Sequence, residues 1–384
     1  MTMLTRRHFL GASAAATALA GLVPMPAIAQ AKPRVVVIGG GPGGATVARY
    51  IAKDSKDAIA VTLVEPAAQF TTCFHSNLHV GGFKTLTEIT HGYDKLTAMG
   101  ITHARTMATA IDREKKMVTL ADGNTVAYDR LVVAPGIDLK YESVPGYSLE
   151  AAERMPHAWK AGPQTELLVK QLNAVPDGGV IVMIAPPNPY RCPPGPYERV
   201  SMFAHVLKAA GKTKCKIMVL DLKDKFSKQA LFMEGWAKHY PGMIEWMDPA
   251  MHAGVKAVDA TTMRVETGFE TINAALVNVI PAQMAGKIAR DAGLTNETGY
   301  CPIDPNSMKS AKDANIFVLG DASIAGDMPK SAFSANSQAK VVANAVRGEL
   351  TGSRVFPAKY SNTCWSLIDT DDAVKIGGSF EPKD

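Results

Sequence analysis

Three glycines at the spacing G-x-G-x-x-G, Gly39, Gly41 and Gly44, follow the β-branched run Val35 to Ile38 and precede a helix-forming stretch, Ala45 to Lys53. In that setting each glycine has its own task. Gly39 permits a tight turn, Gly41 lets a pyrophosphate approach the backbone, and Gly44 lets helix and strand pack closely. A second strand-like run, Ala60 to Val64, ends in Glu65, about 20 residues on, where an acid can hold a ribose hydroxyl. The chemistry these residues announce is the binding of a dinucleotide.

Thiols form the second reactive set. The chain has five cysteines. Cys192 lies in Arg191-Cys-Pro-Pro-Gly195, a loop stiffened by Pro193 and Pro194, and Cys301 precedes Pro302. The thiolate is the reactive form of such groups. Local sequence alone leaves open whether the two form a redox pair or a structural disulfide. An odd count leaves at least one cysteine for another fate. Cys215, in the strand-like run Lys214 to Leu220, reads as a small buried apolar residue. The nine histidines have no metal-ligand spacing, so no metal is expected, and the absence of C-x-x-C-H excludes a c-type haem on this chain.

Exported proteins carry their own signal. Thr5-Arg-Arg-His-Phe-Leu10 matches the twin-arginine export pattern, Gly11 to Val23 is a short Ala-rich h-region, and Ala27-Ile-Ala29 is a small-x-small cleavage site. The expected mature chain begins at Gln30 and is periplasmic, where disulfides persist. The formal charge of +5 falls to +3 once Arg6 and Arg7 are removed with residues 1–29, which hold no acid. That is too mild to argue for nucleic acid or a lipid surface. No later run approaches the length of apolar sequence that spans a bilayer, so no stable membrane insertion is expected.

The elements that must position these groups alternate between strand and helix. Residues 30–150 and 271–350 read as one discontinuous FAD-binding domain, 151–270 as a second Rossmann-like domain, and 351–384 as a C-terminal flavin and interface segment. Asp112 to Tyr128 reads as a hairpin turning at Ala121-Asp-Gly-Asn124. In two-dinucleotide-fold flavoproteins a late strand with a Gly-Asp end returns to the first domain. Here that is Asn315 to Asp321, and Asp321 is expected to bind a ribityl hydroxyl of FAD. The second domain follows its strand Val180 to Ala185 with Pro186-Pro-Asn-Pro-Tyr-Arg-Cys-Pro-Pro-Gly-Pro-Tyr197 instead of a glycine loop. Prolines lack the N–H groups that cradle a pyrophosphate. The reducing equivalents are therefore not expected to come from a nicotinamide.

Several motifs together resemble the flavoprotein subunit of flavocytochrome c sulfide dehydrogenase. They are Thr71-Thr-Cys-Phe-His-Ser-Asn77 with Gly81-Gly82, the Arg191 to Gly195 loop, Gly299-Tyr-Cys-Pro-Ile-Asp304, and Met328 to Gln338. That family is related to sulfide:quinone oxidoreductases and glutathione reductase. The resemblance implies an α/β fold of two Rossmann-like domains and a C-terminal interface segment. It implies that Cys73 forms a thioether to FAD, and that Cys192 and Cys301 form a redox-active disulfide beside the isoalloxazine. Glu198 would accept a proton, although a glutamate in a first helical turn also has a purely dipolar reason to be there. Lys330 would sit near the flavin pyrimidine edge. Cys364, in Asn362-Thr-Cys-Trp-Ser-Leu367, matches a C-terminal family motif near the flavin but reads more simply as packing, as does His75. Family members usually continue some way past the point that matches Asp384.

The implied activity is oxidation of sulfide, a small inorganic sulfur substrate, to sulfane sulfur or polysulfide. Electrons would pass through FAD to a c-type cytochrome subunit. Two other expectations stand beside it: a quinone as acceptor, and a flavoprotein that maintains a sulfur-oxidation complex without turnover.

Overall fold

Strand β1, Arg34–Ile38, and helix α1, Pro42–Ser55, form the unit that the glycine spacing predicts. The computed structural model describes residues 31–382, so the export signal and its cleavage site lie outside the described residues. The first domain continues through β2 (Ala60–Val64), α2 (Ser76–Val80), β3 (Thr102–Ala104), the meander β4 to β6 (Ala108–Asp112, Met117–Leu120, Thr125–Ala127), β7 (Arg130–Val133) and β8 (Ile137–Lys140). The expected hairpin at 112–128 is thus the second half of three antiparallel strands.

The second domain supplies β9 (Val180–Ile184), α3 (Gly195–Ala209), β10 (Lys216–Leu220), α4 (Gln229–His239), β11 (Ile244–Met247), a second meander β12 to β14 (Val255–Asp259, Arg264–Thr267, Thr271–Asn273) and β15 (Leu276–Val279). The chain returns through β16 (Ala282–Ala285), β17 (Cys301–Pro302), β18 (Ile316–Val318), β19 (Ser323–Ile324) and α5 (Ala332–Thr351). A long hairpin, β20 (Tyr360–Asp369) and β21 (Asp372–Phe380), closes it.

The first sheet has the order β18-β7-β1-β2-β3, all parallel. Both faces of β1 are buried, as parallel sheets require. Val36 and Ile38 join one core cluster, and Val35 and Val37 join another. Successive side chains point to opposite faces of a strand, which produces this split. The registers Ile38↔Val64, Ile38↔Val133 and Val318↔Val133 bring the carboxyl ends of four strands level. With strands on both sides of β1, the crevice for a ligand opens at that edge.

The second sheet, β11-β10-β9-β15, is also parallel. Its last strand corrects the expected domain boundary at residue 270. All four residues of β15 are buried and pair with β9, so the second domain takes them in. The antiparallel pair β8 and β16 then carries the chain back. The terminal hairpin packs β20 against both α3 and α5.

Candidate active site

At the carboxyl edge of the first sheet the three glycines differ in why they must be glycine. A Cβ on Gly39, whose φ is +99°, would strike the Ala134 carbonyl, and one on Gly44 would strike the Gly39 carbonyl. Turn and packing therefore account for these two. A Cβ on Gly41 would meet only ring carbons of Phe70, the nearer at 3.8 Å. Nothing in the protein requires glycine there, and the open space is where a pyrophosphate would lie against the helix N-terminus. Glu65 stands beside this turn. Its Oε2 accepts the Gly40 N–H at 2.7 Å and its Oε1 accepts the Ala67 N–H at 3.0 Å.

Asp321 emerges from β18 at the same edge, separated from β1 by β7. Two strand spacings are about 10 Å, a span a dinucleotide covers. Asp321 Oδ1 is buried without a hydrogen-bond partner. Burial raises its carboxyl above the usual range, against the opposing charges of Arg191 and Lys330. An open cradle at Gly41, an acid at Glu65 and an orphaned buried carboxylate oxygen together fit FAD. Cys73 opens a short 3-10 turn, and both Arg191 and Asp321 bear on its half-buried thiol.

Lys330 is sequestered in the same region. Its ammonium donates to the carbonyls of Asp321 at 2.9 Å and Ser323 at 2.7 Å, and sits 3.9 Å from the centroid of the Tyr300 ring. Burial lowers its pKa to about 8, opposed by Asp321 and Cys301.

The thiols converge where the two domains and the terminal hairpin meet. Cys192 lies at φ +58°, a left-handed conformation that costs a non-glycine residue roughly 1–3 kcal/mol. Its surroundings hold it there. The Cys192 N–H donates to Lys330 O at 2.7 Å, and its carbonyl accepts from Gly195 at 2.8 Å as α3 begins. Burial pushes the Cys192 thiol above its usual range. Glu198, Cys364 and Cys73 push the same way, and Arg191 opposes.

Glu198 is more than a first-turn dipole partner. It is buried, and its Oε2 accepts Asn77 Nδ2 at 2.8 Å while its Oε1 accepts the Leu367 N–H at 2.9 Å. Desolvation still raises its pKa against these bonds and against Lys228 and Arg199. Asn77 is in turn held by Arg199, whose Nε donates to Asn77 Oδ1 at 2.9 Å. The Arg199 guanidinium also binds the carbonyls of His157 and Ala158 and lies over Trp159.

The expected pairing of Cys192 with Cys301 has a competitor in Cys364, which β20 carries against the helix that follows Cys192. All five cysteines are free thiols. The cysteines that bear most on Cys192 are Cys364 and Cys73. Cys301 lies on β17, fully buried and paired with Ser323. Burial pushes its thiol up to about 12, opposed only by Lys330. Cys364, read from sequence as packing, is instead brought to the site by β20. Its Sγ accepts Asn362 Nδ2 at 3.4 Å. Its one signal in the sequence was the C-terminal motif near the flavin, and the packing of the last hairpin on α3 is what brings it toward the Cys192 loop. Asn77 was inside a quoted motif, but its role depends on Glu198, 121 residues away. Cys215 is buried as expected, with its Sγ on the Pro176 carbonyl.

The second sheet's carboxyl edge has been filled by protein. Asp221, fully buried after β10, accepts Tyr197 OH at 2.5 Å, Trp246 Nε1 at 3.0 Å, and the backbone and side-chain nitrogens of Lys223. Tyr197 stacks on Phe226 at 3.6 Å between centroids. An acid with four protein donors is poorly placed to hold a nucleotide ribose.

Two family models match the chain. Residues 165–281 match the central domain of the sulfide dehydrogenase [flavocytochrome c] flavoprotein chain, and residues 33–173 match the pyridine nucleotide-disulphide oxidoreductases. A mitochondrial sulfide:quinone oxidoreductase of Dictyostelium discoideum is 21% identical over 326 residues, 80% of this chain and 69% of the relative. The flavocytochrome c sulfide dehydrogenase flavoprotein chain of Chlorobaculum thiosulfatiphilum is 57% identical over 44 residues, 12% of this chain and 90% of that sequence. Among solved structures, the sulfide:quinone oxidoreductase of Aquifex aeolicus superposes with a TM-score of 0.70 at 19% identity, covering 90% of this chain and 87% of that one.

Proposed function

The chain belongs to the pyridine nucleotide-disulfide oxidoreductases and is related to the sulfide:quinone oxidoreductases, and from that premise we propose that it oxidises sulfide at a cysteine centre built on Cys192. The observation that carries this reading is the juxtaposition of Cys192, held in a strained turn at the start of α3, with Glu198 of that helix, which binds the backbone of the strand carrying Cys364. It departs from the sequence-based pairing by taking Cys364, in place of Cys301, as the partner of Cys192.

In the oxidised centre, hydrosulfide attacks the Cys192–Cys364 disulfide. A new S–S bond forms at one cysteine as a persulfide, and the other leaves as a thiolate, so sulfide is oxidised and the disulfide reduced. Glu198, whose burial raises its pKa and so makes it a stronger proton acceptor, takes the proton of an incoming hydrogen sulfide. A second hydrosulfide removes the outer sulfur and leaves the dithiol. Gly39, Gly41, Gly44, Glu65 and Asp321 would hold FAD, which would supply a two-electron sink able to release electrons one at a time. Cys73 is the residue we assign to its thioether.

We place the enzyme in the periplasm and take a c-type cytochrome as its electron acceptor. The protein-filled edge at Asp221 supports an acceptor other than a nicotinamide. Quinone is the second reading, favoured by the exposed Trp365 and Ile376 on the terminal hairpin. No helix among the described residues is long and apolar enough to cross a membrane. The test is an anaerobic assay of the purified protein with sulfide and either a c-type cytochrome or a short-chain quinone. Sulfide-dependent reduction of the cytochrome alone is the expected result. Reduction of the quinone alone would replace the acceptor, and reduction of neither would remove the activity.

A further inference from the structure

Lys228 stands at φ +63° at the start of α4, and its ammonium reaches across the terminal hairpin. Its three donors serve Cys364 O, Ser366 Oγ and Val374 O, each at 3.1 Å. Ser366 and Val374 are paired across β20 and β21, so one side chain pins both strands next to Cys364. None of these acceptors is a carboxylate. The charge of Lys228 is therefore left to act on what lies beyond them, and those groups are Cys364, Glu198 and Cys192. Two carbonyls and a hydroxyl do not require a cation, since a neutral donor would satisfy them equally well. A half-buried ammonium costs desolvation, which lowers its pKa. Its retention there needs a reason that hydrogen bonding alone does not give.

We propose that Lys228 is a positioning residue that holds Cys364 toward Cys192 and sets a fixed positive charge beside that cysteine. The inference rests on the reading of Cys364 as a member of the reactive pair. The groups facing Cys364 come from four places. Asn362 Nδ2 donates to its sulfur from the same strand, with the amide oriented by Ser331 and Ser334, which donate to Asn362 Oδ1 at 2.5 and 3.2 Å. Cys192 and Glu198 approach from the proline loop and α3, and both are anionic when ionised, so they oppose the thiolate. Lys228, from α4, is the cation that donates to the Cys364 carbonyl, at 3.1 Å.

The test needs no turnover, so its failure is separable from failure of the proposed activity. The reduced flavoprotein is alkylated with iodoacetamide across a pH series, and Cys364 modification is followed by peptide mass analysis. Lys228→Gln keeps a hydrogen-bond donor and removes the charge. Its alkylation midpoint should rise by about one pH unit, Lys228→Arg should restore the wild-type midpoint, and Ser366→Ala, which removes one bond but no charge, should leave it in place. If Lys228→Gln fails to fold, Lys228→Met carries the same comparison. If neither folds, the Arg and Ser366 variants decide, because a purely structural role has Ser366→Ala moving the midpoint. An unmoved midpoint in a folded neutral variant overturns the proposal.

Discussion

Glu198 Oε1 accepts the backbone N–H of Leu367 at 2.9 Å, a bond between residues 169 positions apart in sequence. It fastens the first turn of α3 to β20. The same turn follows Cys192 and the same strand carries Cys364. The carboxylate that can accept a proton is thus also a clamp that keeps the two thiols in one place.

Because that clamp is desolvated, it makes stability depend on pH. Burial raises the folded-state pKa of Glu198, so the unfolded chain ionises first as pH rises. Stability from this group is complete below the ordinary carboxylate range and is lost as pH climbs through that range to the raised folded value. Glu198→Gln removes the titration. The difference in melting temperature, variant minus wild type, should therefore become more positive from pH 4 to pH 7. A flat difference would show that the hydrogen bonds from Asn77 and Leu367 cancel the burial.

Gly41→Val should fold and purify without flavin. The new side chain faces open space in the protein and meets only Phe70, so the fold has no reason to object, while a pyrophosphate does. The flavin-to-protein absorbance ratio reads this directly. A full complement of flavin would move the dinucleotide elsewhere.

Cys73→Ser should retain flavin but release it on acid precipitation, whereas the wild-type protein should keep it on the peptide containing Cys73. Arg191 and Asp321 bear on this thiol, which puts it at the FAD-binding edge. Flavin released from wild type as well would remove the thioether and leave binding intact.

Arg199→Met should lower stability by roughly 3 kcal/mol, measured by denaturant midpoint. The change leaves the Ala158 carbonyl, Asn77 Oδ1 and Asn278 Oδ1 without their donor in a buried setting, and each unsatisfied group costs about 1–3 kcal/mol. A loss under 1 kcal/mol would mean that water reaches the network.

Much of the scaffold was legible because its signals are local. The Val35 to Ile38 run, the three glycines and Glu65 sit within one βαβ unit, and turn chemistry specifies them residue by residue. The proline loop in place of a second glycine turn was equally readable, and Asp221 with Tyr197 and Trp246 completes the picture. The strand Leu276–Val279 was assigned to the wrong domain because a buried apolar run carries no mark of which sheet will take it. The cysteine site was least legible. Cys192 and Cys301 share flanking prolines, and both lie near Lys330, but neither feature fixes which thiol Cys192 pairs with. Cys364 lies on a strand whose pattern reads as packing, and its place beside Cys192 follows from how the hairpin docks on α3.

The central claim is that sulfide reacts at Cys192 with Cys364 as its partner. Anaerobic stopped-flow mixing of sulfide with the flavoprotein tests it most directly, by the rate at which flavin absorbance bleaches. Cys192→Ser and Cys364→Ser should each keep flavin and fold yet lose bleaching by a hundredfold or more on the order expected for loss of a covalent step. Cys301→Ser should bleach near the wild-type rate. Bleaching of the Cys192 variant at the wild-type rate would contradict the account and put sulfide in direct reaction with the flavin, and loss of bleaching in the Cys301 variant with retention in the Cys364 variant would return the pairing to Cys301.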